Sequence, residues 1–161
     1  MARSFSLPQQ AQIVSMLAPA ADAAGRTSLY SSLKNALKAY IVVSITQGAA
    51  NTVLLTPLPA SAGAGTGSKA IQAVPIWANL DVVASDALPA ATAAVNYTTD
   101  AGIKNKIVIF EIDPASLDVA NGFTSVAVST GASVAGNITS ALLIVVPGRF
   151  VGAAQPSVLT D

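Results

Sequence analysis

The chain is 161 residues long, enough for one domain with a sizeable core. Apolar residues make up 52% of it and charged residues 10%, and eight basic groups cancel eight acidic ones. That leaves neither the basic footprint of a nucleic-acid binder nor the self-repulsion that keeps monomers apart. Neither cysteine nor histidine occurs, so disulfides, zinc–thiolate sites and every Ser-His or Cys-His nucleophile are excluded.

Residues 1–26 are rich in Ala, Gln, Ser and Pro and sustain no period. They read as an extended N-terminal arm with one short helix near 8–17. Its hydrocarbon (Phe5, Leu7, Ile13, Val14, Met16 and Leu17) would not float freely and should lie on a neighbour or on the protein's own sheet. Those six side chains are the candidate interaction residues. Gln12 to Leu17 followed by alanine mimics a secretory leader, but Gln9, Gln10, Gln12, Ser15 and Pro19 break its apolar core, so cleavage is not expected. No apolar run approaches the roughly 20 residues of a transmembrane helix, so no membrane partner is expected.

Leu29, Leu33, Ala36, Leu37 and Tyr40 recur at three- and four-residue spacing after Thr27 and Ser28, which predicts a helix over 28–39. Lys34 and Lys38 would form its solvated side. From Tyr40 the chain reads as β, with strands predicted at 40–47, 51–58, 69–80, 93–98, 105–113, 123–130 and 139–146. Turn residues separate them, among them Gln47-Gly48, Asp100-Ala101-Gly102, Asp113-Pro114 and Asn121-Gly122. Without helical crossovers the pattern fits an antiparallel β-sandwich of jelly-roll type. The fold class is therefore mainly β, with an arm at 1–26, a sandwich domain at 27–150 and a C-terminal tail at 151–161.

Within these strands Val108, Phe110 and Ile112 should point inward, with Ile107, Ile109 and Glu111 opposite. Val126 and Val128 should point inward, with Ser125, Ala127 and Ser129 outward. Pro57 and Pro75 mark edges or bulges, and Trp77 reads as a core plug beside an edge. Four runs break the alternation of a half-solvated strand: Ile41-Val42-Val43, Val53-Leu54-Leu55, Ile107-Val108-Ile109-Phe110 and Leu142-Leu143-Ile144-Val145-Val146. Both faces of such strands need cover, one from a second sheet and the other from another protein.

Motifs of chemistry are weak. Gly63-Ala64-Gly65-Thr66-Gly67-Ser68-Lys69 has a serine where a phosphate loop needs Gly-Lys adjacent, and reads as a spacer. Ser31-Ser32-Leu33-Lys34 has the Ser-x-x-Lys spacing without the companion elements of that enzyme class. Asp113, Asp118 and Asn121 supply too few oxygens for calcium and read as turn formers. Asn96-Tyr97-Thr98 and Asn137-Ile138-Thr139 match the glycosylation sequon. Glu111 and Asp113 share a strand side at about 7 Å, the one carboxylate pair a hydrolase could use. No catalytic residue, cofactor or metal ligand is assigned, and an enzyme is not expected.

Lys38-Ala39-Tyr40-Ile41-Val42-Val43, Val74-Pro75-Ile76-Trp77-Ala78-Asn79, the stretch Lys104 to Asp113, and Thr130-Gly131-Ala132-Ser133 with Asn137-Ile138-Thr139-Ser140-Ala141 resemble small structural proteins of tailed bacteriophages. The similarity runs from Gly25 to Phe150. It implies a virion component at the capsid surface, made in the host cytoplasm. A head decoration (cement) protein is the first expectation, clamping across subunits of the major capsid protein and self-associating as a homotrimer. A tail-tube or head–tail connector subunit is the structural alternative. A carbohydrate-binding adhesin module is a further one, although most of the eight aromatic residues (Phe5, Tyr30, Tyr40, Trp77, Tyr97, Phe110, Phe123 and Phe150) sit where a core should claim them.

Overall fold

A computed structural model describes residues 6–61 and 65–148. The candidate Phe5 and the tail 151–161 lie outside the described residues. Among the described residues, eleven strands form two antiparallel sheets. They are β1 (Gln12–Ala21), β2 (Arg26–Thr27), β3 (Ser31–Ser32), β4 (Ala36–Gln47), β5 (Leu54–Ala60), β6 (Val74–Asn79), β7 (Ala90–Ala94), β8 (Tyr97–Thr98), β9 (Asn105–Ile112), β10 (Ser125–Thr130) and β11 (Asn137–Pro147). The six-stranded sheet runs β1-β11-β4-β9-β6-β7; the five-stranded sheet runs β2-β10-β5-β8, with β3 also on β10.

Strict alternation in the long strands decides which side chains meet between the sheets. Ala39, Ile41, Val43 and Ile45 of β4, Val108, Phe110 and Ile112 of β9, and Ala141, Leu143 and Val145 of β11 are buried. They share one core with Leu55 of β5 and Val126 and Val128 of β10. The predicted inward set of β9 is the observed one. Packing a β-branched side chain on a pleated surface favours strand over helix at these positions, and the antiparallel register locks the alternation.

The predicted helix over 28–39 is not formed. Ser31–Ser32 pair with β10, Asn35 takes a left-handed turn at φ 65°, and β4 begins at Ala36. Leu29 and Leu37 are exposed while Leu33 is buried, so the four-residue spacing marks no common face. Pairing along the whole of β4 with β11 outweighs a weak local helical preference.

The segment expected as an arm is built into the sheet. Its helix is limited to Leu7–Gln10, and β1 follows as an edge strand on β11. Register shifts between Ser15 and Leu17 and between Leu17 and Ala20 let Met16 and Leu17 both turn into the core. Pro19 sits on this edge strand, where a missing N–H is tolerated. Pro75 falls at the register shift between Val74 and Ile76. Pro57 and Pro59 lie on β5 beyond its two-residue pairing with β8, where that side of the strand has no partner strand among the described residues.

Two expectations about faces need correction. Trp77 is no core plug: it lies half-buried on the outer face, opposite Ile109 and Ala90. Ser125 and Ala127 are buried, so β10 is covered on both sides. The outer side of the five-stranded sheet is partly occupied by the chain itself: a Cβ placed on Gly65 (φ 76°) would meet the Tyr30 ring at 2.6 Å. Gly65 thus lies against Tyr30, with the Ser61 hydroxyl donating to the Thr66 carbonyl.

Candidate functional site

The outer face of the six-stranded sheet is the feature with the most to explain. Side chains that alternate with the core set point here: Val42, Tyr40 and Lys38 on β4, Ile107, Ile109 and Glu111 on β9, and Leu142 and Ile144 on β11. Register aligns them into rows. One row runs Ser15, Leu142, Val42, Ile109, Trp77 and Ala90 across all six strands. Its neighbour runs Ile13, Ile144, Tyr40 and Glu111. Ile13 is 50% exposed and Leu142 43%, and the apolar residues between them are half-buried. Three of the four unbroken apolar runs thus place one set of side chains in the core and the other on this face.

The face is electrically quiet. On the outer side of these strands, among the described residues, charge is confined to Lys38 and Glu111. The Lys38 ammonium donates to Glu111 Oε1 at 2.8 Å and lies 3.7 Å from Asp113 Oδ2. Its bond to Glu111 holds the ammonium above the ordinary lysine value. The two carboxylates that could have served a hydrolase are therefore bridged by a lysine.

Two polar networks, neither legible in the sequence, tie the sandwich together at the end where β11 begins. In the first, the fully buried Asp22 accepts from Arg26 Nε at 2.9 Å, from Thr130 Oγ1 at 2.8 Å and from the Thr139 hydroxyl in a short bond. Arg26 spends its other donors on the carbonyls of Ala18, Ala20 and Thr139. This clamp links β1 and β11 of one sheet to β2 and β10 of the other. In the second, the fully buried Lys106 donates to Gln47 Oε1 at 2.9 Å and to Asp100 Oδ1 at 2.6 Å. Gln47 in turn reaches the carbonyls of Asn51 and Asp100. Burial of these charges is tolerated because every donor named here has an acceptor. The Lys106 ammonium beside Asp100 holds that carboxyl below the usual carboxylate value, helped by the Gly102 amide. Both networks are structural in geometry: their polar atoms are turned on each other.

The weak sequence motifs are similarly absorbed. Lys69 of the glycine-rich loop is 2.5 Å from Asp118 and lies over the Phe123 ring at 4.1 Å. Asp118 also accepts from Asn121 Nδ2, and Asp113 caps the short helix Pro114–Ser116 through Ala115 N. Bonding first to Lys69 and then to Asn121 lowers the Asp118 pKa. Ser31 is buried in β3 and Lys34 is exposed on a turn, so no helix brings them together. Asn137 is fully buried and bonded to the Asn51 carbonyl and to Ser133, which leaves that sequon no room for a glycan. Among the described residues no group of three or more Asp or Glu is placed to hold a metal ion, and no helix is long and apolar enough to cross a membrane.

The candidate interaction residues divide. Leu7 and Ile13 are exposed, Val14 packs against the core, and Met16 and Leu17 are buried within it. Ile13 alone joins the open apolar face. A separate cleft of about 440 Å³ lies between the Leu33–Ala36 turn and the 114–119 loop, lined by Leu33, Ala36, Pro114, Leu117, Val119 and Thr124.

No protein family and no curated protein matches the chain. Among solved structures it is similar to the SPBc2 prophage-derived protein YomS, at 10% identity over 84% of this chain and 92% of that one, with a TM-score of 0.45. It is also similar to the CBM22-1–GH10 modules of the Clostridium thermocellum xylanase Xyn10B complexed with xylohexaose, at 10% identity over 91% and 28% of the two chains and a TM-score of 0.35. The Tobacco streak virus coat protein aligns at 10% identity over 98% and 100%, with a TM-score of 0.28.

Proposed function

We propose that this chain is a structural protein of a tailed-phage virion, a decoration protein that binds across major capsid protein subunits and associates with itself through apolar contacts. The observation that supports the reading is the open face of the six-stranded sheet. From Leu142 to Ala90 a row of apolar side chains crosses five strands with no charge of its own, and an exposed patch of that kind marks an interaction surface. The resemblance of β4, β6, β9 and β11 to phage structural proteins supplies the setting. Contacts of this sort need not be strong singly, because repetition over a shell multiplies them. The reading assigns no catalytic step, cofactor or nucleic-acid partner.

Immunogold labelling of phage particles with antiserum to this protein tests it. Label spread over the heads is the expected result. Label confined to tails or to the neck would transfer the protein to the tube or connector class, and unlabelled particles would overturn the virion reading.

A second reading draws on one observation: Trp77 and Tyr40 stand on the open face, not in the core. A flat sheet with aromatic side chains is a platform on which sugar rings stack. Glycan-array binding that is lost in Trp77→Ala would favour it.

A further inference from the structure

The open face raises the question of what covers it, and the answer proposed here rests on the assembly reading above. We propose that the face is closed by the same face of a second copy of this chain, giving an isologous twofold dimer. Three observations carry this. The first is area. Six strands spaced about 4.8 Å apart at about 3.3 Å per residue, paired over eleven positions between β11 and β4 and eight between β4 and β9 but only four between β9 and β6 and three between β6 and β7, present on the order of 600 Å². A stable interface needs about 800 Å² from each partner, so the face supplies most of that area.

The second is charge. Lys38 bridges Glu111 at 2.8 Å and Asp113 at 3.7 Å at one end of the face, and the row from Leu142 to Ala90 holds no charged side chain. Pairing that row with its copy therefore buries no charge, and a chain with zero net charge meets its copy without repulsion. The third is asymmetry between the two sheets. Ser125 and Ala127 on the outer side of the five-stranded sheet are already buried, whereas Leu142 and Ile13 on the six-stranded sheet are not. A second copy brings an identical apolar row, and two sheets stacked at about 10 Å repeat the packing inside the sandwich. A flat face meets its own copy through a twofold axis, so this surface excludes the threefold arrangement as the primary contact.

Light scattering of the purified intact chain, Leu142→Lys and Val42→Lys tests the proposal, with Val83→Lys as a control at a site 82% exposed and outside this sheet. The native chain and the control are expected at twice the 16.1 kDa chain mass, and the two face variants at the single-chain mass with unchanged circular dichroism. A monomeric or trimeric native chain, or a dimer untouched by folded face variants, would overturn the proposal. Should the lysine variants fail to fold, spin labels settle the matter, since the chain has no native thiol. Ser44→Cys, on the open face, should give one short inter-protomer distance, and a longer distance there than from Val83→Cys would overturn it. A monomer whose antiserum labels phage heads would sink this inference and leave the decoration reading intact; a dimer that labels no particle would do the reverse.

Discussion

At the scale of single residues, stability rests on a few buried charges whose partners are complete. Asp22 is the acceptor for Arg26, Thr130 and Thr139 at once. Removing one member of a buried charged pair costs about 3–5 kcal/mol, because the partner stays buried and unmatched. Asp22→Ala should lose stability in that range in chemical denaturation, and Arg26→Met paired with Asp22→Leu should recover part of it. The titrating groups make a second prediction. Asp81, Asp100 and Asp118 have pKa values lowered from 3.8, chiefly by bonds to Lys104, Lys106 and Lys69. A depressed folded pKa gives stability that is present above the unfolded value and lost as pH falls through the folded one. Lys38 and Lys104 are raised from 10.5 by Glu111 and Asp81, so their contribution is present below that value and lost as pH rises through the folded one. No histidine titrates between these limits. The melting temperature should be flat from about pH 5 to about pH 10 and fall on both sides; a step near pH 6.5 would contradict this.

At the scale of elements, β1 is the informative case. A composition shift near residue 26 suggests a removable arm, yet Val14, Met16 and Leu17 belong to the shared core. Truncating a buried Leu or Met side chain costs about 2–5 kcal/mol. Deleting residues 1–21 should therefore abolish cooperative thermal unfolding, while Ile13→Ser should leave it nearly unchanged. A truncated chain that melts like the intact one would restore the arm. The reason β1 is hard to read in the sequence is physical: two register shifts break its period-two pattern, and edge strands need fewer apolar residues. Strands β4, β9 and β11 are legible because each carries an unbroken, largely β-branched apolar run bounded by turn residues. The stretch 28–39 misleads because three- and four-residue spacing also arises by chance across a turn and a strand. The two polar networks escape sequence reading altogether, since Asp22 and Thr130 meet only through pairing of distant strands.

At the scale of the whole molecule, the excess of hydrocarbon over charge is explained by its placement. One set of apolar side chains fills the sandwich, and the alternate set covers an outer face that the described residues leave open. Trp77 stands on this face and not in the core, which puts the most area-rich side chain of the chain on that surface. On the proposal above, this protein works by burying that face against a second copy of itself. Sedimentation equilibrium of the intact chain, from micromolar to near-millimolar concentration, tests it most directly. The prediction is a mass above 16.1 kDa that returns to the single-chain value in Val42→Lys; a native chain that stays at the single-chain mass throughout would contradict it.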